Sequence, residues 1–144
     1  MFQNILLPVD GSEHSLRAIE TGVELASRLQ ARVYGVHVLP PLPAVSYVAE
    51  LLQSRDSYTN LAKQRAEGFL AEVTRRAQAA GVACETEYVF DLRPYVAIVA
   101  AAHKHHCDLI VMASRGYQGL ERVLLGSVTH KVMLSCDIPV LVCH

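Results

Sequence analysis

Apolar residues along this chain follow two alternating rhythms. Short β-branched runs at Asn4–Val9, Arg32–Leu39, Asp108–Ala113 and Ile138–Cys143 predict strands. Val82–Phe90 alternates polar with apolar residues, which predicts a strand with one wetter face, near a sheet edge. Between these runs the spacing turns helical. Leu16, Ile19, Val23, Ala26 and Leu29 form one stripe over Ser12–Leu29, and Ser12 can cap its first turn. Ala62, Ala66, Phe69, Leu70, Val73, Ala77 and Ala80 form a second over Leu61–Ala80, closed by Gly81. A third helix is expected from Pro94 to about His106, with proline in its first turn, and a fourth from Leu120 or Val123 to Ser135. Pro40–Val45 can neither continue a strand nor begin a helix cleanly and reads as a loop. Val48–Asp56 fits neither rhythm.

Five strands alternating with four helices predict a mostly parallel sheet with helices on both faces, because parallel strands need long crossovers. Neither PVDGS nor GSV recurs, so 144 residues read as one domain, 1–144. In such a sheet, ligands bind beyond the carboxyl ends of strands, where strand order reverses. The loops that matter follow Val9, Leu39, Phe90, Ala113 and Cys143.

Composition narrows the classes of function. With 51% hydrophobic and 19% charged residues, the chain suits a packed core and not disorder. A net charge of −1 lacks the basic excess that holds nucleic acid. No secretory signal is expected in MFQNILLPVD, and the longest apolar run, Tyr95–Ala102, is too short to span a membrane. Cys84, Cys107, Cys136 and Cys143 make no C-x2-C pair. They are expected as free, buried or half-buried thiols of a cytoplasmic protein.

Two loops carry candidate chemistry. After the first strand, Pro8-Val9-Asp10-Gly11-Ser12 is either a plain helix-capping turn or a place where Asp10 meets a ribose hydroxyl pair or a metal. After the fourth strand come Ala113-Ser114-Arg115-Gly116 and then Gly126-Ser127-Val128-Thr129. Glycines let backbone N–H groups approach a phosphate, a helix N-terminus adds positive potential, and Arg115, Ser127 and Thr129 add donors. A glycine-bearing turn before an ordinary helix explains the same residues.

Together, ILLPVDGSEHSLRAIETGVELA and DLIVMASRGYQGLERVLLGSVTHKVMLSCDIPVLV resemble the universal stress protein family over nearly the whole chain. That resemblance implies an open five-stranded sheet in the order 3-2-1-4-5, Rossmann-like and similar to the adenine nucleotide alpha hydrolases. The family's nucleotide-binding branch carries G-x2-G-x9-G-[ST]. Here Ala113, Gly116, Gly126 and Ser127 occupy those positions, with alanine in place of the first glycine, and Gly119 falls in the spacer. The resemblance implies ATP or AMP as ligand, with Mg2+ or Mn2+ accompanying a triphosphate. It places Val9 and Asp10 at adenine and ribose, Pro8 in the turn, and Val38 at the adenine. Met112, Ala113, Arg115 and Gly116 run under ribose and phosphates, and Gly126, Ser127, Val128 and Thr129 cradle the phosphates. A methyl at Ala113 is tolerated at negative φ and costly at positive φ. A valine at Gly126 is expected to enter the cradle. The resemblance further implies a homodimer through Pro139, Val140, Leu141 and Val142, since an edge strand invites a two-fold partner.

An efficient phosphoryl-transfer enzyme needs metal ligands and a phosphate-binding cation. GxxxxGK[ST] is absent, and Asp10, with Asp91 as a second acid at the third strand end, is a thin set. Little or no turnover is expected, with a slow ATPase as one alternative. A non-binding dimeric module of the same family is another, which the Ala113 substitution favours. The phosphoacceptor receiver reading fails for want of paired acids after the first strand and of a lysine after the fifth. Alternation turns His37 away from Val38, so it is expected to be packed. His103, His106 and Cys107 would share a helix face, yet a polar helix end accounts for them, with Lys104 and His105 in water. Lys63, Arg65, Arg75 and Arg76 read as a solvated face, and Tyr47 and Tyr58 either lid the ligand or cover the core.

Overall fold

The computed structural model describes residues 1–41, 52–115 and 125–144, with the side chains of 52–57 excepted. The elements run β1 (Asn4–Pro8), α1 (Glu13–Leu29), β2 (Arg32–Leu39), α2 (Leu52–Ala79), β3 (Cys84–Phe90), α3 (Pro94–Lys104), β4 (Leu109–Ala113), α4 (Ser127–Ser135) and β5 (Val140–Cys143). The strands form one parallel sheet in the order β3-β2-β1-β4-β5. Fold class and strand order are therefore as expected. β1 and β4 are neighbours, but the chain leaves β1 toward β2 on one side and enters β4 from β3 on the other, so strand order reverses between them.

Side-chain alternation divides the core in two. Ile5 and Leu7 of β1 pack with Ile19, Val23 and Ala26 of α1 and Leu70, Val73 and Ala77 of α2. Leu6 points the other way, joining Val36, Ile110 and Met112 against Ile98, Ala101 and Ala102 of α3 and Val132 of α4. Each helix stripe thus covers one sheet face. β4 is buried throughout, whereas β3, at the edge, keeps its half-wet pattern.

Several boundaries differ from expectation. Asp108 does not extend β4; its carboxylate accepts the backbone N–H groups of Gln3 and Asn4 and anchors the start of β1. Pro139 precedes β5, having no N–H to give a ladder, and its carbonyl accepts Ile110 N–H at 2.9 Å. α4 starts at Ser127 and not at Leu120 or Val123, because Gly126 holds an extended ψ of 150° as its N-cap. Residues 120 to 124 lie outside the described residues, as do Tyr47, Gly116, Gly119 and the predicted loop beyond residue 41. The ambiguous stretch is helical from Leu52. Ser12 caps α1 as expected, its hydroxyl accepting Ser15 N–H.

The basic face of α2 is tied down in part. Arg75 and Arg76 both bond Glu72, and Arg76 reaches across to Glu20 of α1. The bonds from Arg75 and then Arg76 hold the Glu72 carboxyl well down, at about 2 against an ordinary 4.5. Between those values the unfolded chain binds the extra proton, so this contribution is complete above about pH 4.5 and fades as pH falls toward 2. Exposed pairs of this kind contribute up to about 1 kcal/mol. Glu72→Gln should therefore lower the melting temperature at pH 7 and lose that difference near pH 2, read by thermal unfolding of both proteins across pH. A gap that persists unchanged at low pH would refute it.

Candidate functional site

The carboxyl end of β1 is held by two bonds to β2. Val9 N–H donates to Val36 O at 2.9 Å, and Val9 O accepts the Nδ1–H of His37 at 2.6 Å. His37 is buried edge-on to Phe69, on the α2 side, as its alternation predicts. Asp10, Gly11 and Ser12 then turn the chain into α1. One carboxylate oxygen of Asp10 accepts Ser12 N–H at 2.9 Å, so the capping reading of this turn is realised. Asp10 also borders a cavity, and nothing in the capping bond excludes that second use.

At the sheet's other central strand, Ser114 N–H continues the ladder to Cys143 O at 2.8 Å. The chain returns at Gly126, whose N–H donates to Ser114 O. Thr129, buried in the first turn of α4, donates its hydroxyl to Ala113 O at 2.8 Å. These two bonds draw the N-terminus of α4 against the end of β4. Gly126 offers no side-chain cap, so the first-turn N–H groups of α4 are left for other acceptors.

Between these two arrangements lies a cavity of about 360 Å3. Ligand pockets run from roughly 300 to 1,000 Å3. Pro8, Val9, Asp10, Val38, Met112, Ala113, Arg115, Gly126, Ser127, Val128 and Thr129 all line it. Every described residue that the resemblance assigns to the ligand thus borders one space; Gly116 lies outside the described residues. Ser15, Val36, Pro94 and Ile98 line it too and were not anticipated. Val36 had a signal, since it lies two residues before Val38 and so on the same strand face. Pro94 and Ile98 share a helix face by their spacing of four, but which face meets the crevice is a tertiary matter.

The methyl of Ala113 meets no backbone strain. Among the described residues the non-glycine positions with positive φ are Gln30 and His106, so Ala113 keeps ordinary strand geometry, paired with Cys143. Gly126 lines the cavity, but a side chain there would not enter it freely. A Cβ built there would sit 2.9 Å from Ser114 O and 3.1 Å from Arg115 Cα, against backbone and not in open cavity. Its φ of −59° is one any residue adopts, so close approach alone demands glycine.

Other candidates fall away from the site. Asp91 does not face the cavity; its carboxylate accepts Arg93 N–H at 2.8 Å ahead of α3. His103, His106 and Cys107 do not share a helix face, because α3 ends at Lys104 and His106 turns left-handed at φ 51°. Burial pushes the Cys107 thiol up to about 12, so it stays protonated at neutral pH. Among the described residues no three His, Cys, Asp or Glu side chains group as metal ligands. Lys104 and His105 do not simply face water. They bond the two oxygens of Glu87 at 2.7 and 3.0 Å, and His105 stacks on Tyr34. Burial alone would raise the Glu87 carboxyl, but these two hydrogen bonds outweigh it and hold it below its usual value. The four cysteines are free, and Tyr58 is half exposed on α2. Among the described residues no helix is long and apolar enough to cross a membrane.

A doubly wound parallel sheet, with a cavity at its switch point and an uncapped helix N-terminus on one rim, defines a Rossmann-like α/β protein. More narrowly, the chain belongs to the universal stress protein family, whose model matches residues 1–144. A universal stress protein of Methanocaldococcus jannaschii is 37% identical over 142 residues, spanning 99% of this chain and 82% of the relative. The structure of the universal stress protein UspA from Lactobacillus plantarum superposes with a TM-score of 0.77 at 26% identity, covering 99% of this chain and 97% of that one. A universal stress protein crystallised in complex with cAMP superposes with a TM-score of 0.72 at 27% identity, again over 99% and 97% of the two chains.

Proposed function

We propose that this protein binds an adenine nucleotide, ATP or AMP, in the crevice between β1 and β4, and acts as a stress-response regulator with little or no turnover. The observation that carries the reading is the two-sided cavity. Val36, Val38, Ile98 and Met112 offer an apolar wall suited to a base, while Arg115, Ser127 and the uncapped start of α4, including the Thr129 backbone N–H, suit phosphates. Asp10 lines the same cavity and offers an acceptor to a ribose. The cAMP complex of a relative supports the same ligand class. Ala113 gives no support to a non-binding module, since its backbone is unstrained. Mg2+ or Mn2+ would arrive with a triphosphate and be held largely by its phosphates.

The test is direct. The purified protein is denatured and its supernatant examined for adenine nucleotide by mass and absorbance; ATP, AMP and GTP are then titrated by calorimetry. Bound adenine nucleotide, or heat with ATP or AMP, is the expected result. Neither, at millimolar ligand, would overturn the reading.

The same proposal includes a homodimer through β5, with Pro139, Val140, Leu141 and Val142 at the contact. β5 is an edge strand, and Leu141 stays 39% exposed on it, with Leu134 of α4 74% exposed. Pairing with a second copy would satisfy that edge. Light scattering at about micromolar concentration should give twice the chain mass; the monomer mass would refute the dimer.

A further inference from the structure

We infer that Ser15 is a positioning residue for the cavity, holding Asp10 in the orientation that the ligand meets; this rests on the proposed nucleotide reading. Ser15 is 3% exposed, lies in the first turn of α1, and lines the cavity. Its hydroxyl oxygen accepts Asp10 N–H at 3.2 Å. Its own N–H donates to the Ser12 hydroxyl at 3.1 Å, and Ser12 N–H donates to the Asp10 carboxylate at 2.9 Å.

Those three bonds close a ring through Asp10, Ser12 and Ser15. In an ordinary capping box the third helical residue reaches back to the N–H of the cap itself. Here the cap's N–H is already taken by Asp10, and Ser15 reaches two residues further back, to the N–H of Asp10. Both the backbone and the carboxylate of Asp10 are thereby held. One carboxylate oxygen is committed to Ser12, which leaves the other to a ligand. A capping role alone would need only the Ser12 hydroxyl, so the bond to Asp10 is a second task that helix capping does not explain. Pre-ordering an acceptor lowers the ordering cost that binding must otherwise meet.

The experiment compares wild type with Ser15→Ala and, as the conservative variant, Ser15→Thr, which keeps the hydroxyl. The first readout needs no ligand: amide hydrogen exchange of Asp10 in the free protein, with Val9 as internal reference because its N–H is bonded to Val36 O. Ser15→Ala should speed Asp10 exchange by about tenfold relative to Val9, the size of one hydrogen bond. The second readout is calorimetric titration with ATP and with 2′,3′-dideoxy-ATP. ATP affinity should fall about five- to tenfold in Ser15→Ala. The dideoxy analogue, lacking the hydroxyls that Asp10 would accept from, should show a much smaller loss. An Asp10→Ala background should abolish the effect of Ser15→Ala, because the two residues act as a unit. Ser15→Thr should retain slow Asp10 exchange.

Unchanged Asp10 exchange in Ser15→Ala would overturn the inference whatever the nucleotide data show. So would equal losses for ATP and the dideoxy analogue, which would make Ser15 merely structural. Wild type that binds no nucleotide, with Asp10 exchange still accelerated in the variant, would sink the nucleotide reading and leave the positioning of Asp10 standing.

Discussion

Gly126→Val should weaken ATP binding by more than about tenfold and lower the stability of the fold by about 1–3 kcal/mol. The cause is not a side chain in the cavity. The new Cβ would lie 2.9 Å from Ser114 O and 3.1 Å from Arg115 Cα, and both are backbone atoms that cannot rotate aside. The helix must therefore retreat, giving up the Gly126 N–H bond to Ser114 O and straining the bond from the Thr129 hydroxyl to Ala113 O. The first turn of α4 forms one rim of the cavity, so the phosphate side of the site moves with it. Gly126→Ala carries the same Cβ and should show a similar defect with less bulk behind it. Urea unfolding gives the stability, calorimetry the affinity. ATP affinity unchanged in the valine variant would mean that the phosphates do not sit at α4.

The second large effect is expected at Gly11. Gly11→Ala should cost about 2–5 kcal/mol, combining a left-handed backbone at about 1–2 kcal/mol with overpacking at about 1–3. Gly11 has φ 83°, and a Cβ there would run into the ring of Phe69 on α2. Phe69 packs edge-on against buried His37, so a ring pushed aside gives up that contact. Gly11 follows Asp10 directly, and the variant should also bind ATP more weakly, through displacement of that carboxylate. Adding Phe69→Leu should restore part of the stability but not the part due to φ. A loss below about 0.5 kcal/mol on urea unfolding would show that neither strain is real.

These two glycines show how the site divides between local and distant causes. DGS after an apolar run is a turn signal, and Gly11 answers it with a positive φ. Gly126 is required by the backbone just past β4, twelve residues earlier at Ser114, and nothing in GSVTHKV itself says so. The fourth helix was misplaced for a related reason. Leu120 and Val123 continue an apolar pattern toward Val128 and Val132, and periodicity carries no mark of where the backbone becomes extended; Gly126, as N-cap, supplies that break. HKHHC misled in the same manner. Helical spacing groups His103, His106 and Cys107 only if the helix continues, and it ends at Lys104. Lys104 and His105 then find Glu87, seventeen and eighteen residues away, on an adjacent strand.

The alternation of strand and helix, the parallel sheet, the packed histidine at position 37 and the two loops flanking the crevice were all determined by the sequence alone. Each depends on apolar period, turn chemistry or side-chain alternation, which are properties of a few consecutive residues. The order of the strands came by likeness to a family and not by pattern, because pairing joins residues far apart in the chain. The tertiary structure alone decided that Pro94 and Ile98 of α3 face the cavity, that the methyl at Ala113 meets no strain, and that Gly126 is required by backbone contact. These facts depend on which surfaces meet when the helices settle on the sheet, and a linear pattern does not contain the distance between them.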